Sequence, residues 1–380
     1  VVTGGIAAVE CVKLIRELRR YGADVRVSMT PSATTFVSPK SLEWAAKNPV
    51  LTDLSGAAEH ITHADAVIIA PCSLDFMSKI ALGLADSAAA TLVQSAISRI
   101  PVFFAPSMHL SLQGNPAYAR NLEALRAISH VTIFETQVNE GKAKMMAFEE
   151  MVARVSHALN AAGKLGGKSV AITLGATRSP VDDVRHLGNS SSGALGFAIA
   201  DELYRAGANV HAICGDTSVA APHSPIEIQK VSTNSEMLAA LQLVCQRSRP
   251  SIGIFSAAVL DFEVANPRNG KTSSKDSLSI QLQPAPKVHA ALDYRFETKV
   301  GFKLESQLSV EELKKKITHW ALEAQCQFVV GNRLEDVHRK DGTSTEHEAH
   351  IWARSANAFE TIKGKPAIAR RLRELLESHL

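Results

Sequence analysis

The sequence predicts an α/β chain of two doubly wound domains with mainly parallel sheets, and three features carry that prediction. Short β-branched runs alternate with stretches of helical period from end to end. Several of these runs are solidly apolar, as in Ala66–Ala70 (AVIIA) and Pro101–Ala105 (PVFFA), which suits strands covered by helices on both faces. A Gly/Lys-rich interruption at Ala161–Lys168 (AAGKLGGK) divides the 380 residues, too many for one ordinary domain, into domains 1–160 and 161–380.

Val1–Val2 reads as the end of a strand whose earlier residues lie outside this numbering, which leaves a signal peptide untested. Thr3-Gly4-Gly5 turns into helix Val9–Tyr21, where Val9, Val12, Ile15 and Leu18 recur at helical spacing and Gly22 is the stop. Strand Asp24–Met29 follows, then Ala66–Ala70, stopped by Pro71, then Pro101–Ala105 and helix Phe148–Leu159. The second domain runs strand Ser169–Leu174, helix Ala194–Arg205, strands Asn209–Cys214, Ile252–Ser256 and Leu278–Leu282, helix Ser309–Ala324, strand Phe328–Val330 and helix Pro366–Ser378. Ligands of open parallel sheets bind outside the carboxyl ends of the strands. That nominates the loops after Val2, Ala70 and Ala105, and those after Leu174, Cys214, Ser256 and Val330.

Composition removes several function classes. Apolar residues at 46% and charged ones at 21% exclude a largely disordered chain. A net charge of +3 without a long Lys/Arg run argues against nucleic acid as a partner. No stretch of eighteen apolar residues exists to cross a membrane. The five cysteines are scattered and never form C-x-x-C, against a disulfide framework or zinc site and in favour of a reduced, cytoplasmic setting.

In the first domain Thr3-Gly4-Gly5-Ile6 lets backbone N–H groups converge at a helix start, and Met29-Thr30-Pro31-Ser32 adds hydroxyls at the same edge. Two such loops favour a phosphate more than either alone, a plain tight turn being the bland alternative. With Ala70-Pro71-Cys72-Ser73 and Gly83–Asp86 these segments resemble the flavin mononucleotide (FMN) domain of the phosphopantothenoylcysteine decarboxylase type, a flavodoxin-like fold. The resemblance implies FMN held by Thr3, Gly4, Gly5, Ile6, Thr30, Ser32, Pro71 and Ser73. It also shows departures. The family histidine falls on His60, with His63 as competitor; the P-x-M-N substrate motif reads Pro106-Ser107-Met108-His109, so Met108 and His109 take the substrate positions; and the flap cysteine falls on Gln137 in Gln137–Met145. An amide cannot give a proton at neutral pH as a thiol can, so decarboxylation is expected to be impaired.

In the second domain, strand Ser169–Leu174 runs into Gly175–Arg185 and then Asn189-Ser190-Ser191-Ser192-Gly193 before a helix, a set of caps and N–H groups fit for an anion. Ser256–Phe262 puts small residues and Asp261 at the ligand edge, and Pro267–Lys275 reads as a flexible loop carrying Lys271 and Lys275. Together with Ala285–Val288, Val300–Ser306 and Val329–Leu334, these motifs resemble phosphopantothenate–cysteine ligase, a Rossmann-like fold.

That resemblance implies Mg²⁺-assisted attack of the 4′-phosphopantothenate carboxylate on the α-phosphate of CTP, or of ATP in some relatives. Cysteine then displaces the nucleotide. By position Asn189 and Lys271 act on the intermediate and its phosphates. Gly175, Thr177, Ser191, Ser192, Gly193, Ala257, Ala258, Val259, Asp261, Ala285, Pro286, Lys287, Val288, Phe302 and Lys303 bind substrate or nucleotide. Departures are Ser179 for a glutamate, Asp183 for a proline, Ala194 for a lysine and Thr272 for an isoleucine. Histidines such as His319, His338 and His350 read as surface or capping residues, and Lys314–Lys316 as the wet face of a helix.

A bifunctional coenzyme A biosynthesis flavoprotein with a working ligase half is the first reading, expected to form a homo-oligomer acting on small-molecule substrates. A fully bifunctional enzyme using residues such as His109 in the flap chemistry is the second, and a non-catalytic flavin-binding regulatory protein the third.

Overall fold

The computed structural model of the chain describes residues 1–139, 141–273, 277–337 and 347–380. Lys275, Ser274, His338 and the flap residue Glu140 lie outside them. Two compact units result, Val1–Leu159 and Asn160–Leu380.

The first unit is built on short parallel strands. Val2 donates to Ser28 O and bridges Met29 beside β1 (Val27–Ser28), while Ala70 donates to Val1 O. β1 pairs with β2 (Val50–Leu51), and β3 (Val67–Cys72) pairs with β4 (Val102–Pro106), which pairs with β6 (Val131–Ile133). The spatial order is thus β2, β1, Val1–Val2, β3, β4, β6. Its direction reverses between Val2 and β3, the crevice where doubly wound sheets take their ligands. Between β4 and β6 the chain forms β5 (Met108–His109), and after β6 come β7 (Gln137–Asn139) and β8 (Lys142–Lys144). These make a small antiparallel sheet in the order β5-β8-β7. Helices α1 (Cys11–Arg20), α2 (Pro39–Ala46), α3 (Leu74–Ala81), α4 (Ala88–Ala96), α5 (Leu110–Gln113), α6 (Pro116–Arg126) and α7 (Phe148–Leu159) complete the unit. β3 passes through Pro71 rather than stopping there: its register against β4 shifts between Ile69 and Cys72, so the missing proline N–H is never called on. The expected helix from Val9 begins as a 3₁₀ turn, Ile6–Glu10, and becomes α-helical at Cys11.

The second unit has one eight-stranded sheet. In chain order its elements are β9 (Ser169–Leu174), β10 (Arg178–Pro180), β11 (His186–Gly188), α8 (Ala194–Arg205), β12 (Asn209–Cys214), β13 (Glu227–Lys230), α9 (Asn234–Ser248), β14 (Ile252–Phe255), β15 (Phe262–Val264), β16 (Leu282–Pro284), α10 (Val288–Ala291), β17 (Thr298–Glu305), α11 (Val310–Glu323), β18 (Phe328–Arg333), α12 (Leu334–Val337), β19 (Glu348–Ala353), β20 (Ala358–Lys363) and α13 (Lys365–His379). The sheet order is β13-β12-β9-β14-β17-β18-β19-β20, parallel through β18 and antiparallel beyond.

Alternation along each strand distributes the core. Val170, Ile172 and Leu174 face α8 and α13 through Phe197, Ile199, Leu203, Ile368 and Leu372. Ala171 faces α9 through Met237, Leu241 and Val244. On β18, Phe328 and Val330 join the α8/α13 side, whereas Val329 joins Leu313 and Ile317 of α11. The run Leu278–Leu282 does not enter this sheet. Only its last residue begins β16, an exposed partner of β15, because its polar alternation leaves no doubly apolar surface to bury.

Candidate functional site

The strand order of the second sheet reverses between β9 and β14, and the loops leaving those two strands are joined there. Ala258 donates to Gly175 O (2.8 Å) and Thr177 N to Ala258 O (3.3 Å). Thr177 is fully buried: its hydroxyl donates to Asn234 Oδ1 (2.6 Å) and accepts from Leu260 N (2.9 Å). Leaving such a group unpaired costs ~1–3 kcal/mol. Thr177 therefore braces the floor of the site while also lining the pocket described below.

Asn189 bridges the same gap from outside, its Nδ2 donating to Ala258 O (3.3 Å) and Val259 O (3.2 Å). Gly193 precedes α8 at φ +72°, and a Cβ there would lie 2.4 Å from Thr217 Cγ2, so no other residue brings the helix start this close to the β12 loop. Ser191 Oγ accepts from Gly193 N and Ser192 Oγ from Ala194 N.

These segments enclose a pocket of about 420 Å³ lined by Ala176, Thr177, His186, Gly188, Asn189, Ser191, Asp216, Thr217 and Ser218. A second cavity of about 360 Å³ shares Asp216 and Thr217 and adds Lys230, Ser232 and Glu236. Asp216 is the carboxylate among the residues lining the first. It fits a Mg²⁺ carried in by a triphosphate that keeps most of its waters. The Asp216-Thr217-Ser218 turn and His186 are additions to the sequence-based set. The signal was the apolar strand ending at Cys214, which nominated the loop but no residue in it.

The Lys271 loop is anchored on either side of Lys271, at Gly270 and Thr272. Asp182, a buried carboxylate, accepts from Val184 N, Arg185 N and Thr272 N and pairs with Arg185 Nη1 at 2.6 Å. Asp183 Oδ2 accepts from Gly270 N (2.9 Å), which gives the proline-to-aspartate departure a purpose. The backbone N–H donors of Val184, Arg185 and Thr272, with the Arg185 guanidinium, hold the Asp182 carboxyl well below the usual carboxylate range against the opposing effect of burial. A depressed folded value gives stability that is complete above the unfolded value of about 3.9 and lost as pH falls through the folded one. Thermal unfolding of Asp182→Asn should thus start below the wild type at neutral pH, and the two curves should converge only in strong acid.

Not every expected residue meets the pocket. Lys271, Asp261, Lys287, Phe302 and Lys303 line neither cavity. Asp261 pairs with Lys287, and Ala285 N donates to Asp261 O. An ion pair this exposed contributes only ~0–1 kcal/mol, so a ligand can part it. Phe302 and Lys303 are neighbours on β17 and point to opposite faces: Phe302 packs on the core beside Val300, and Lys303 pairs with Glu305 (3.3 Å). Lys314 pairs with Glu311 and Lys316 with Glu305 on the wet face of α11. His319 is exposed, but His350, expected at the surface, is 2% exposed.

In the first unit a Cβ on Gly4 would lie 2.3 Å from Ser32 Oγ, so the turns after Val2 and β1 meet with room for backbone alone. Ile6, 71% exposed, offers apolar surface beside them, and Thr30 and Ser32 share a hydroxyl contact of 3.2 Å. This cradle fits FMN, a phosphate with a flat apolar ring. Thr3 is buried and engaged elsewhere, donating to Pro71 O (2.7 Å) and accepting from Ser73 N (3.0 Å), while Ser73 caps α3. Those hydroxyls shape the cradle, where the sequence suggested direct contact. His60 and His63 lie in the irregular stretch between β2 and β3, with the carbonyl of His60 accepting from Ser95 Oγ. Met108 is nearly buried, and His109 Nδ1 accepts from Ser111 N (3.2 Å) to cap α5.

Among known proteins, the family model described as the DNA/pantothenate metabolism flavoprotein C-terminal domain matches residues 165–379, and the model described as Flavoprotein matches residues 1–160. The chain is 38% identical over 347 residues to the coenzyme A biosynthesis bifunctional protein CoaBC of Thermococcus kodakarensis, covering 88% of this chain and 84% of that one. It is 32% identical over 342 residues to the protein of the same name from Haemophilus influenzae, covering 86% and 84%. The crystal structure of the DNA/pantothenate metabolism flavoprotein from Streptococcus pneumoniae aligns with 56% of this chain and all of its own, at 21% identity and a TM-score of 0.48.

Proposed function

This chain belongs to the DNA/pantothenate metabolism flavoprotein family of bifunctional coenzyme A biosynthesis proteins, and on that premise we propose which residues perform its ligation and which half of it is weakened. The ligase activity joins 4′-phosphopantothenate to cysteine at the expense of a nucleoside triphosphate, which we take to be CTP. The observation that supports this assignment of residues is the pair of adjoining cavities over the loops that follow β9 and β12, the first bordered by Asn189 and Ser191 and both by Asp216.

The start of α8, with the positive end of its dipole and the hydroxyls of Ser191 and Ser192 that cap it, takes the triphosphate. The pantothenate carboxylate attacks the α-phosphorus; the P–O bond to the β-phosphate breaks, and pyrophosphate leaves with the bridging oxygen. Asn189 Nδ2 can release Ala258 O and Val259 O to hold the acyl-phosphate oxygen, and Lys271, on a loop fixed by Asp182 and Asp183, neutralises phosphate charge. The cysteine amine then attacks the acyl carbon, loses a proton and expels the nucleoside monophosphate. In the first unit the Gly4–Ser32 cradle holds FMN, which when bound supplies the redox capacity for decarboxylating a thiol-bearing carboxylate. We propose that this half is impaired because Gln137 stands where relatives of the decarboxylase type carry a thiol. The finer expectations, a homo-oligomer in the cytoplasm, belong to the same reading.

The test is pyrophosphate release with CTP or ATP, 4′-phosphopantothenate, cysteine and Mg²⁺, with products read by mass spectrometry. Accumulation of 4′-phosphopantothenoylcysteine with CTP is expected. Silence with both nucleotides would sink the ligase assignment in favour of a regulatory flavin-binding protein.

A further inference from the structure

Away from the pocket residues, β18 leads into α12, and β19 returns antiparallel beside it with Gly331 opposite His350. This brings Asp336 of α12 together with Glu348 and His350 of β19, and the three side chains offer ligand atoms all within 4.8 Å of one another. None is an ordinary surface group: their side chains are 17%, 23% and 3% exposed.

His350 makes the cluster distinctive. Its Nδ1 is 2.9 Å from Thr361 Oγ1 on β20, while its Nε2 is buried without a hydrogen-bond partner. Glu348 Oε1 is 3.8 Å away, too far for a hydrogen bond. If Nδ1–H donates to Thr361, the lone pair sits on Nε2 and points at the carboxylates. Ligating histidines take this arrangement, the far ring nitrogen fixed by an outer partner. Both carboxylates have outer partners too. Arg333 grips Asp336 with Nε (2.7 Å) and Nη2 (2.8 Å), and Lys363 Nζ is 3.2 Å from Glu348 Oε2.

The geometry points to a divalent transition-metal site of the Zn²⁺ class formed by His350 Nε2, Glu348 and Asp336, with water completing the shell. Imidazole with carboxylates selects such ions over Mg²⁺, which prefers oxygen ligands alone. Bonds of about 2 Å require the ligand atoms to draw together to roughly 3.3 Å, a side-chain rotation in Glu348 and Asp336. The exposed Lys363 ammonium can swing away, and Arg333 stays as the outer partner of Asp336. The ion would tie α12 to the antiparallel end of the sheet.

Full-length protein stripped with a chelator and titrated with Zn²⁺ in the absence of nucleotide should bind one equivalent, and Co²⁺ should give a d–d absorption band. His350→Gln and Glu348→Gln should each weaken binding at least tenfold, and Thr361→Val by about tenfold through loss of the outer partner. Excess Mg²⁺ should not compete. Should the buried His350 variant fail to fold, Asp336→Asn on the helix surface tests the same ligand set, with circular dichroism confirming its fold. Absence of stoichiometric Zn²⁺ binding, or binding unchanged in Glu348→Gln and Asp336→Asn, overturns the site.

Discussion

Asn189→Asp should lower the ligation rate by roughly 100-fold or more, the scale set by losing a donor that meets developing charge, while leaving thermal stability almost unchanged. The substitution is nearly isosteric, so it opens no cavity, and the side chain is exposed, where changes of about 0.5 kcal/mol in stability are usual. What changes is polarity. The Nδ2 group now faces two carbonyl oxygens across the β9/β14 reversal, and it borders a pocket whose ligands, a carboxylate and a triphosphate, are all anionic. A carboxylate there repels both the carbonyls and the ligands. Asn189→Ala separates the two effects: it removes the donor without adding charge, and should fall between wild type and aspartate, about 10–100-fold down, the range of a hydrogen bond to a charged group. Pyrophosphate release and adduct formation measured separately will place the loss in the first or the second step. An aspartate variant of full activity would reduce Asn189 to a brace for the Ala258–Val259 backbone.

The two halves differ in how far their sites could be read from the residues. Asn189, Ser191 and Gly193 were legible because each answers a local demand: a cap, a helix start, a backbone approach with no space for a side chain. Helices Phe148–Leu159 and Ala194–Arg205 and strands Ser169–Leu174 and Asn209–Cys214 carry clear period or continuous apolar runs, and they occupy those residues. β17 is central in the sheet yet does not read as a strand from its residues, since Lys299, Gly301 and Lys303 interrupt its apolar run. Its strand character comes from pairing with β14 and β18 on either side. The β19–β20 hairpin likewise depends on partners distant in sequence. Thr177 shows what a motif leaves open: it fixes the residue at the position, but the bond of its hydroxyl to Asn234 depends on a helix the fold brings in from elsewhere.

Purified wild-type protein should accumulate 4′-phosphopantothenoylcysteine, and Gln137→Cys should raise decarboxylation well above that background, toward the 10²–10⁴-fold that a placed general acid supplies. Gln137 opens β7 opposite Lys144 and is exposed, and β8 links β7 to β5, which carries Met108 and His109. A thiol there would stay near its ordinary pKa of about 8.5 and retain a proton to give at neutral pH. The cysteines already in this unit cannot take its place. Burial pushes the Cys11 thiol up to about 12 and raises Cys72 further, and Cys11 Sγ already donates to Ala70 O. His109 is tied on one side of its ring, its Nδ1 capping α5 through Ser111 N. On the proposed reading a second lesion limits the gain, since the resemblance puts His109 at the position of the family's carboxylate-holding asparagine. Gln137→Cys with His109→Asn should accordingly exceed Gln137→Cys alone, chiefly through a lower KM. Efficient decarboxylation by the wild type would mean that another group gives the proton. No gain from either variant, with FMN still bound, would move the defect from the flap to the cradle.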